Sequence, residues 1–258
     1  LRGGQRHNLI FLPLLALMAF GNLLVHLEAL GLAAGVGRQG LWLGLALVIL
    51  LMVIVGGRVI PFFTERGLPG VRTHKWVPVE VTAIAGTLAW AMGVAMAPAS
   101  PLTGAFAAVA AVAHALRLAG WHRPATWRVP LLWVLHLGYG WIVLGLAFQA
   151  LAATGLMSPA LALHALTAGA IGTLTLGMMA RVALGHTGRA LEPPLAVAGA
   201  FVLVNAAAAV RVLVPALMAV DYRYPVAISG MLWSAAFAIF VWVYVPIVVR
   251  PRVDGRPG

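Results

Sequence analysis

The feature that most constrains this chain is a succession of long apolar blocks separated by short polar loops. Eight blocks occur, at positions 8–32, 41–61, 77–97, 102–121, 129–151, 159–184, 194–214 and 226–249. A helix needs about 20 apolar residues to cross the hydrocarbon core of a bilayer, where only helices and closed barrels satisfy their backbone hydrogen bonds. The blocks therefore predict an all-α fold, a polytopic transmembrane helix bundle of about eight spans.

The composition is typical of a chain that spans a lipid bilayer. Hydrophobic residues make up 62% of the sequence and charged residues only 9%, whereas a soluble domain carries about a quarter charged residues. Because no segment is long and polar enough for a separate soluble domain, residues 1–258 are predicted to form a single transmembrane domain. Cysteine is absent, which excludes disulfides, zinc–thiolate sites and iron–sulfur clusters.

Basic residues are distributed unevenly between the two sides of the predicted bundle. An even number of spans places both termini on one side, and that side collects eleven basic residues: Arg2, Arg6, Arg66, Arg72, Lys75, Arg123, Arg128, Arg189, Arg250, Arg252 and Arg256. The loops on the other side hold two, Arg38 and Arg223. Loops rich in lysine and arginine stay in the cytoplasm, so both termini are predicted to be cytoplasmic. This topology explains the net charge of +11, and no nucleic-acid partner is expected.

Histidines inside the spans are the residues most indicative of chemistry, because polar groups in hydrocarbon are costly. His26 and His164 share a depth near the outer side, and His114 and His136 share a depth about two turns from the inner face. Neutral imidazoles are common metal ligands, and two on facing helices can hold a haem iron axially. Two pairs of matched depth favour metal or haem binding over isolated interhelical hydrogen bonds, although depth alone does not bring the first and sixth spans into contact.

Other polar residues lie where they could assist an outer-side site. Asn22 precedes His26 by one helical turn, so its amide could orient that imidazole. Arg211, near the outer end of the seventh span, could pair with a haem propionate. Snorkelling of Arg211 to the membrane surface explains its position nearly as well.

The arginines at the inner ends of the spans have simpler explanations. Arg117 is expected to snorkel to the inner surface. Arg58 and Arg181, each near a glycine, could bind lipid phosphate, a propionate or loop carbonyls, and structural anchoring is the favoured role. Tyr139 follows His136 by three residues and could donate a hydrogen bond to a bound ligand; a packed aromatic is the alternative. The sequence shows no phosphate-binding loop, nucleophile elbow or paired carboxylates.

Four segments resemble the NnrS family of haem- and copper-containing bacterial inner-membrane proteins, which are linked to nitric oxide metabolism and protection against nitrosative stress. They are RHNLIFLPLLALMAFGNLLVHL (6–27), GGRVIPFFT (56–64), LLWVLHLGYGW (131–141) and HALTAGAIGTLTLGMMARVALGHTGR (164–189). The last segment is the most specific of the four. Family members carry further helices before this region, with a His-Ala-His-Glu-type motif and a Pro-Asn-Trp-Thr segment that do not occur here, so the resemblance implies a C-terminal portion.

The resemblance implies functional weight for seven residues without assigning any of them individually to haem or copper: His26, Arg58, His136, His164, Arg181, His186 and Arg189. We expect His26, His136 and His164 to be the metal or haem ligands, with Arg211 as a cofactor contact. The implied cofactor is haem, of b type, with copper possible, and the implied ligand is nitric oxide or its iron adducts.

Three functions remain open from the sequence. The leading hypothesis is reversible binding of nitric oxide at a haem held by outer-side histidines. The second is a membrane transporter or channel with a polar pathway lined by histidines and arginines. The third is an accessory subunit that packs against other membrane proteins.

Overall fold

A computed structural model of the protein describes residues 11–255. Nine α-helices follow one another in this part of the chain: α1 Phe11–Ala29, α2 Gly37–Gly67, α3 Val77–Met96, α4 Pro101–Trp121, α5 Pro130–Ala153, α6 Pro159–His164, α7 Gly172–His186, α8 Leu195–Leu217 and α9 Arg223–Val248. A short 3₁₀ helix precedes α5. A π-helical turn, Ala165–Ile171, joins α6 to α7 without interrupting the helix.

The predicted eight spans are confirmed among the described residues. Eight helices are long and apolar enough to cross a membrane, with α6, the π-helical turn and α7 forming one span from residue 159 to 186. The second helix is longer than the predicted block 41–61, because the polar ends of α2 continue the helix at both sides. Positions 8–10 of the first predicted span lie outside the described residues.

Serine and proline set the starts of α4 and of α6. Ser100 and Ser158 each accept a hydrogen bond from the backbone nitrogen two residues later, at 3.3 and 3.4 Å. Each serine is followed by a proline, which fits the first helical position because the nitrogen there has no helical partner. The Ser-Pro pairs therefore mark the entry of these two spans into the bundle.

Helix α5 occupies the centre of the bundle and is the most buried of the spans. It packs against α2 and α4 on one side and against α6, α7 and α8 on the other. Helix α9 packs mainly against α8, and α1 packs against α2. A residue on α5 can therefore contact either half of the bundle, whereas α1 lies at its edge.

Residues Ala165–Ile171 form a π-helical turn in place of regular α-helix within the sixth span. A π turn accommodates an extra residue in an α-helix, which changes the direction in which the preceding residues face. Such turns occur frequently at functional sites. The turn here begins immediately after His164, so it sets the orientation of that histidine relative to α7.

Candidate functional site

A pocket of about 650 Å³ opens between the π-helical turn, α8 and α9. This volume lies within the range of small-molecule and cofactor sites, about 300–1,000 Å³. The lining is predominantly apolar, and its polar members are His164, Thr167, Thr175, Arg211, Ser229, Trp233 and Ser234. An apolar cavity with a few convergent polar groups is the usual form of a cofactor or ligand site.

His164 and Arg211 meet in this pocket from two different helices. The Nη2 atom of Arg211 lies 3.4 Å from the Nε2 atom of His164, a long hydrogen bond that the guanidinium donates. The Arg211 guanidinium also lies over the ring of Tyr222, 5.5 Å from its centroid. The lone pair of this imidazole nitrogen is directed at the guanidinium. Nε2 could ligate a metal once that hydrogen bond is broken, and the freed guanidinium could then receive a carboxylate.

Aromatic rings and a glycine shape the opposite wall of the pocket. Trp233 and Phe237 stack on one another with ring centroids 4.1 Å apart, and both line the pocket. Gly172 faces Trp233, since a Cβ atom built at this glycine would lie 2.9 Å from the indole Nε1. The pocket therefore has a flat aromatic wall, which a planar ligand can stack on, and a glycine that keeps the space beside that wall open.

A second, smaller cavity adjoins the first. It encloses about 290 Å³ between α2, α5 and α7 and is almost entirely apolar. Thr175 lines both cavities. Met52, Met178 and Met179 also line the smaller cavity, which gives small uncharged molecules an apolar space next to the pocket.

The expected pairing of His26 with His164 is not formed. His26 is exposed on α1, and α1 packs against α2, whereas α6 packs against α5 and α8. Asn22 is exposed on the same helix. Equal depth in the membrane does not bring two residues together, because two helices can lie on different sides of a central span.

The expected inner pair, His114 with His136, is not formed either. His114 is buried with both ring nitrogens engaged by protein, Nε2 at 2.8 Å from the Thr87 hydroxyl and Nδ1 at 2.7 Å from the Tyr139 hydroxyl. Because Thr87 donates its proton to the carbonyl of Ala83 at 2.7 Å, its oxygen accepts from Nε2 of a neutral His114. The Nδ1 atom then accepts from Tyr139, and no lone pair is left for a metal.

Arg117 does not snorkel, in contrast to the expectation from the sequence. It is only 3% exposed and donates two hydrogen bonds to Glu80, 2.9 Å from Nε to Oε1 and 2.6 Å from Nη2 to Oε2. Its Nη1 atom donates to the carbonyl of Val53 at 3.1 Å and to the Tyr139 hydroxyl at 2.9 Å. The Glu80 carboxylate makes the burial of Arg117 possible, because it compensates a positive charge that is otherwise costly to bury.

Gly57 makes room for the buried Arg117. A Cβ atom built at Gly57 would lie within 1.9 Å of Nη2 of Arg117. The glycine pair of GGRVIPFFT therefore allows close helix packing and leaves space for Arg117 of another helix. Arg58, which follows the pair, is exposed on α2.

His136 instead lies close to His122, which directly follows the predicted span 102–121. The two imidazole centroids are 6.2 Å apart. The Nδ1 atom of His136 lies 2.9 Å from the carbonyl of Leu132, so Nδ1 carries the proton and Nε2 keeps its lone pair. Both Nε2 atoms are buried, and neither has a hydrogen-bond partner among the described residues. His122 directly follows the last residue of α4, and the tertiary packing places its ring beside that of His136.

The remaining predicted residues lie at the end of the bundle where α7 ends. His186 is exposed, and its carbonyl accepts a hydrogen bond from Arg252 at 2.8 Å. Arg189 is half-buried, and its Nη1 atom donates to the carbonyl of Thr187 at 3.5 Å. Arg181 is buried, with its guanidinium 3.9 Å from the ring centroid of Phe63.

A metal site of three or more ligands is not found in the described part of the chain: no group of at least three histidine, aspartate or glutamate residues that could hold an ion occurs there. The structure thus offers one histidine in the large pocket and a separate pair of histidines between α4 and α5.

Comparison with known proteins gives one match. A model of the family described as NnrS protein matches residues 1–252, nearly the whole chain. No curated protein matches the sequence, and no solved structure matches it.

Proposed function

Since the chain belongs to the NnrS protein family, we propose that this multi-pass membrane protein binds haem and nitric oxide in the bacterial inner membrane. The observation that carries the proposal is the meeting of His164 and Arg211 in a pocket of about 650 Å³. Haem bound there would supply an iron coordination position for a diatomic ligand.

The residues of the pocket fit haem in three respects. His164 would hold the iron through Nε2, the nitrogen that accepts a hydrogen bond from Arg211 in this structure. Arg211 is then available to pair with a propionate through its guanidinium. The stacked rings of Trp233 and Phe237 offer an apolar wall for a planar macrocycle.

The apolar surroundings suit a neutral gas. Nitric oxide is small and uncharged, so it partitions into the bilayer and into apolar cavities without the cost of dehydrating a charge. The smaller cavity shares Thr175 with the pocket and provides an apolar approach to it. His164 is the one histidine among the described residues that line the pocket, so it would be the residue that holds haem there, and the haem iron would supply the binding position for the gas.

Absorption spectra of the purified protein in detergent test this proposal. We expect a Soret band in oxidised and reduced samples, and a changed spectrum of the reduced protein after addition of a nitric oxide donor. The His164→Ala variant should lose the band, whereas His26→Ala should retain it because His26 is exposed on α1. Arg211→Gln should weaken haem retention about 10- to 100-fold, the loss of one charged hydrogen bond of roughly 1.5–3 kcal/mol. A wild-type protein without haem, or an unchanged band in His164→Ala, would refute the assignment.

A second candidate site, for copper, is favoured by the buried pair His122 and His136. Imidazole nitrogens suit copper, and a hydrogen bond from Nδ1 to a backbone carbonyl is the usual arrangement around a metal-ligating histidine. His136 shows that arrangement with Leu132. A metal ion lies about 2 Å from each imidazole nitrogen that ligates it. With the ring centroids 6.2 Å apart, one ion would fit between the two histidines when both Nε2 atoms point toward each other.

Metal analysis of the same purified samples tests the copper assignment. His136→Ala and His122→Ala should each lower the copper content, while His74→Ala, which changes an exposed loop histidine, should not. If all three variants contain as much copper as the wild type, the copper is bound elsewhere. If neither the wild type nor any variant contains copper, the assignment is excluded.

The transporter or channel alternative predicts colourless protein and solute flux in vesicles. The residues that it needs are spread over the bundle: Arg58 and His26 are exposed on α2 and α1, whereas Arg181 is buried against Phe63. The convergence of His164 and Arg211 therefore favours the haem proposal.

A further inference from the structure

A third cavity lies at the end of the bundle where α2 and α7 both finish. It encloses about 400 Å³, and its lining includes Phe62, Phe63, Arg66, Arg181, His186 and Arg252. No aspartate or glutamate is among the residues that line it. The cavity is therefore a basic pocket with aromatic walls, separate from the pocket that holds His164.

Arg181 is the unusual member of this cavity. It is 7% exposed, and its one contact of a polar kind in the described part of the chain is with the Phe63 ring, 3.9 Å from the guanidinium carbon. Arg117, which is comparably buried, directs Nε, Nη1 and Nη2 to oxygen atoms of the protein. A charge without a hydrogen-bonded counter-charge is unfavourable where water is scarce. The Arg181 guanidinium lines the cavity, so an anion that enters the cavity can bind it.

Two further arginines line the cavity together with Arg181, and one of them, Arg252, forms an ion pair with Asp254. Arg66 lies over the ring of Phe62, 5.5 Å from the centroid. Arg252, on the segment after α9, donates to the carbonyl of His186 at 2.8 Å, which fastens that segment beside the end of α7. The hydrogen bonds that Arg252 donates to Asp254 raise the pKa of the guanidinium and hold its side chain in place.

We propose that this cavity binds the phosphate group of an anionic phospholipid. Guanidinium groups match the oxygen atoms of phosphate through paired hydrogen bonds. The cavity lies at the ends of two spans, the depth at which lipid head groups lie, and basic pockets between membrane helices at the cytoplasmic side bind such groups. Exposed apolar side chains at the cavity, Phe62, Val182 and Leu191, provide a surface along which an acyl chain can lie.

Thermal unfolding in delipidated detergent solution, with defined additions, tests the proposal. Phosphatidylglycerol should raise the unfolding temperature of the wild-type protein more than the zwitterionic phosphatidylcholine does. In the Arg181→Gln variant the difference between the two lipids should disappear. The matched control is Arg58→Gln, which removes an exposed arginine from α2 outside the cavity and should keep the difference.

The same variant also reports on the buried charge. Without lipid, Arg181→Gln should unfold at the same temperature as the wild type or a higher one, because the change removes a buried guanidinium that lacks a counter-charge. A marked decrease would mean that Arg181 has a partner within the protein, and would overturn the proposal. If Arg181→Gln does not fold, Arg66→Gln provides the test, because Arg66 is exposed. Its loss should reduce the lipid-dependent shift in unfolding temperature by at least half.

Inorganic phosphate distinguishes the two sources of the anion. If phosphate at millimolar concentration reproduces the shift given by phosphatidylglycerol, the site takes free phosphate, and the lipid assignment is overturned. Equal shifts with both lipids, or an unchanged response in Arg181→Gln, would also overturn it. Haem content measured on the same samples keeps this test independent of the proposed function, because the basic cavity and the His164 pocket share no lining residue.

Discussion

The guanidinium of Arg117 holds the carboxylate of Glu80 through two hydrogen bonds inside the membrane bundle, with the closer pair of atoms, Nη2 and Oε2, 2.6 Å apart. The same arginine reaches Val53 and Tyr139, and Tyr139 reaches His114. One polar network thus joins α2, α3, α4 and α5. Its groups satisfy one another, which makes it a structural element and separates it from the two candidate ligand sites.

Replacing Glu80 with glutamine should destabilise the protein strongly. The change leaves the guanidinium of Arg117 buried without a counter-charge. Removal of one partner of a buried ion pair costs about 3 kcal/mol. Water offsets part of this cost, because the Glu80 side chain is 25% exposed. Chemical denaturation in mixed micelles measures the change in the free energy of unfolding. Glu192→Gln, at an exposed loop position, is the control and should be neutral. An equal stability of both variants would contradict the role of the pair, and the double variant Glu80→Leu/Arg117→Met should recover part of the loss.

Adding one methyl group at Gly57 should also destabilise the bundle. The new Cβ atom would lie within 1.9 Å of Nη2 of Arg117, so the guanidinium must move and its hydrogen bonds with it; we expect about 2–3 kcal/mol. Gly44→Ala on the same helix is the control, because nothing lies within 4 Å of a Cβ atom there. Gly44→Ala should be neutral or stabilise by up to about 1 kcal/mol, the difference in helix propensity. Similar melting curves for the two alanine variants would show that Arg117 adapts without cost.

Narrowing the large pocket should reduce haem binding while the fold persists. In Gly172→Val the side chain enters the space beside Trp233, where a Cβ atom already lies 2.9 Å from the indole nitrogen. We expect the ratio of Soret to protein absorbance to fall at least tenfold, with an unchanged elution volume in gel filtration. Gly199→Val on α8 meets no atom within 4 Å at Cβ and should retain the wild-type ratio. Full haem occupancy in Gly172→Val would place the cofactor outside this pocket.

Both termini should lie in the cytoplasm. The positive-inside rule predicts this orientation from the eleven basic residues on the terminal side against two on the other. A phosphatase fused after residue 258 should be inactive, and a fluorescent protein at the same position should fluoresce. A fusion after Ala33, in the loop between α1 and α2, should give the opposite pair of results. Phosphatase activity at the C terminus would invert the topology, and with it the assignment of the basic cavity to the cytoplasmic side.

The features that could be predicted from the sequence are local properties of one segment of the chain. The eight spans could be read from the sequence because a bilayer requires about 20 apolar residues per helix, a local property of each block. The structure places His164 and Arg211 in one pocket, and their role as cofactor contacts stays a prediction. Both lie near the ends of their spans, so depth restricted their possible partners.

The tertiary structure alone decided which helices touch. His26 and His164 share a depth but stand on helices that α5 and α2 separate, and no periodicity in one helix specifies its neighbour. Arg117 reads as a snorkelling residue until Glu80 is brought to it from another helix. His122 reads as a loop residue until packing places its ring 6.2 Å from that of His136. Hydrophobic patterning fixes how deep a side chain lies in the membrane, and only the packing of helices around α5 fixes which side chain lies beside it.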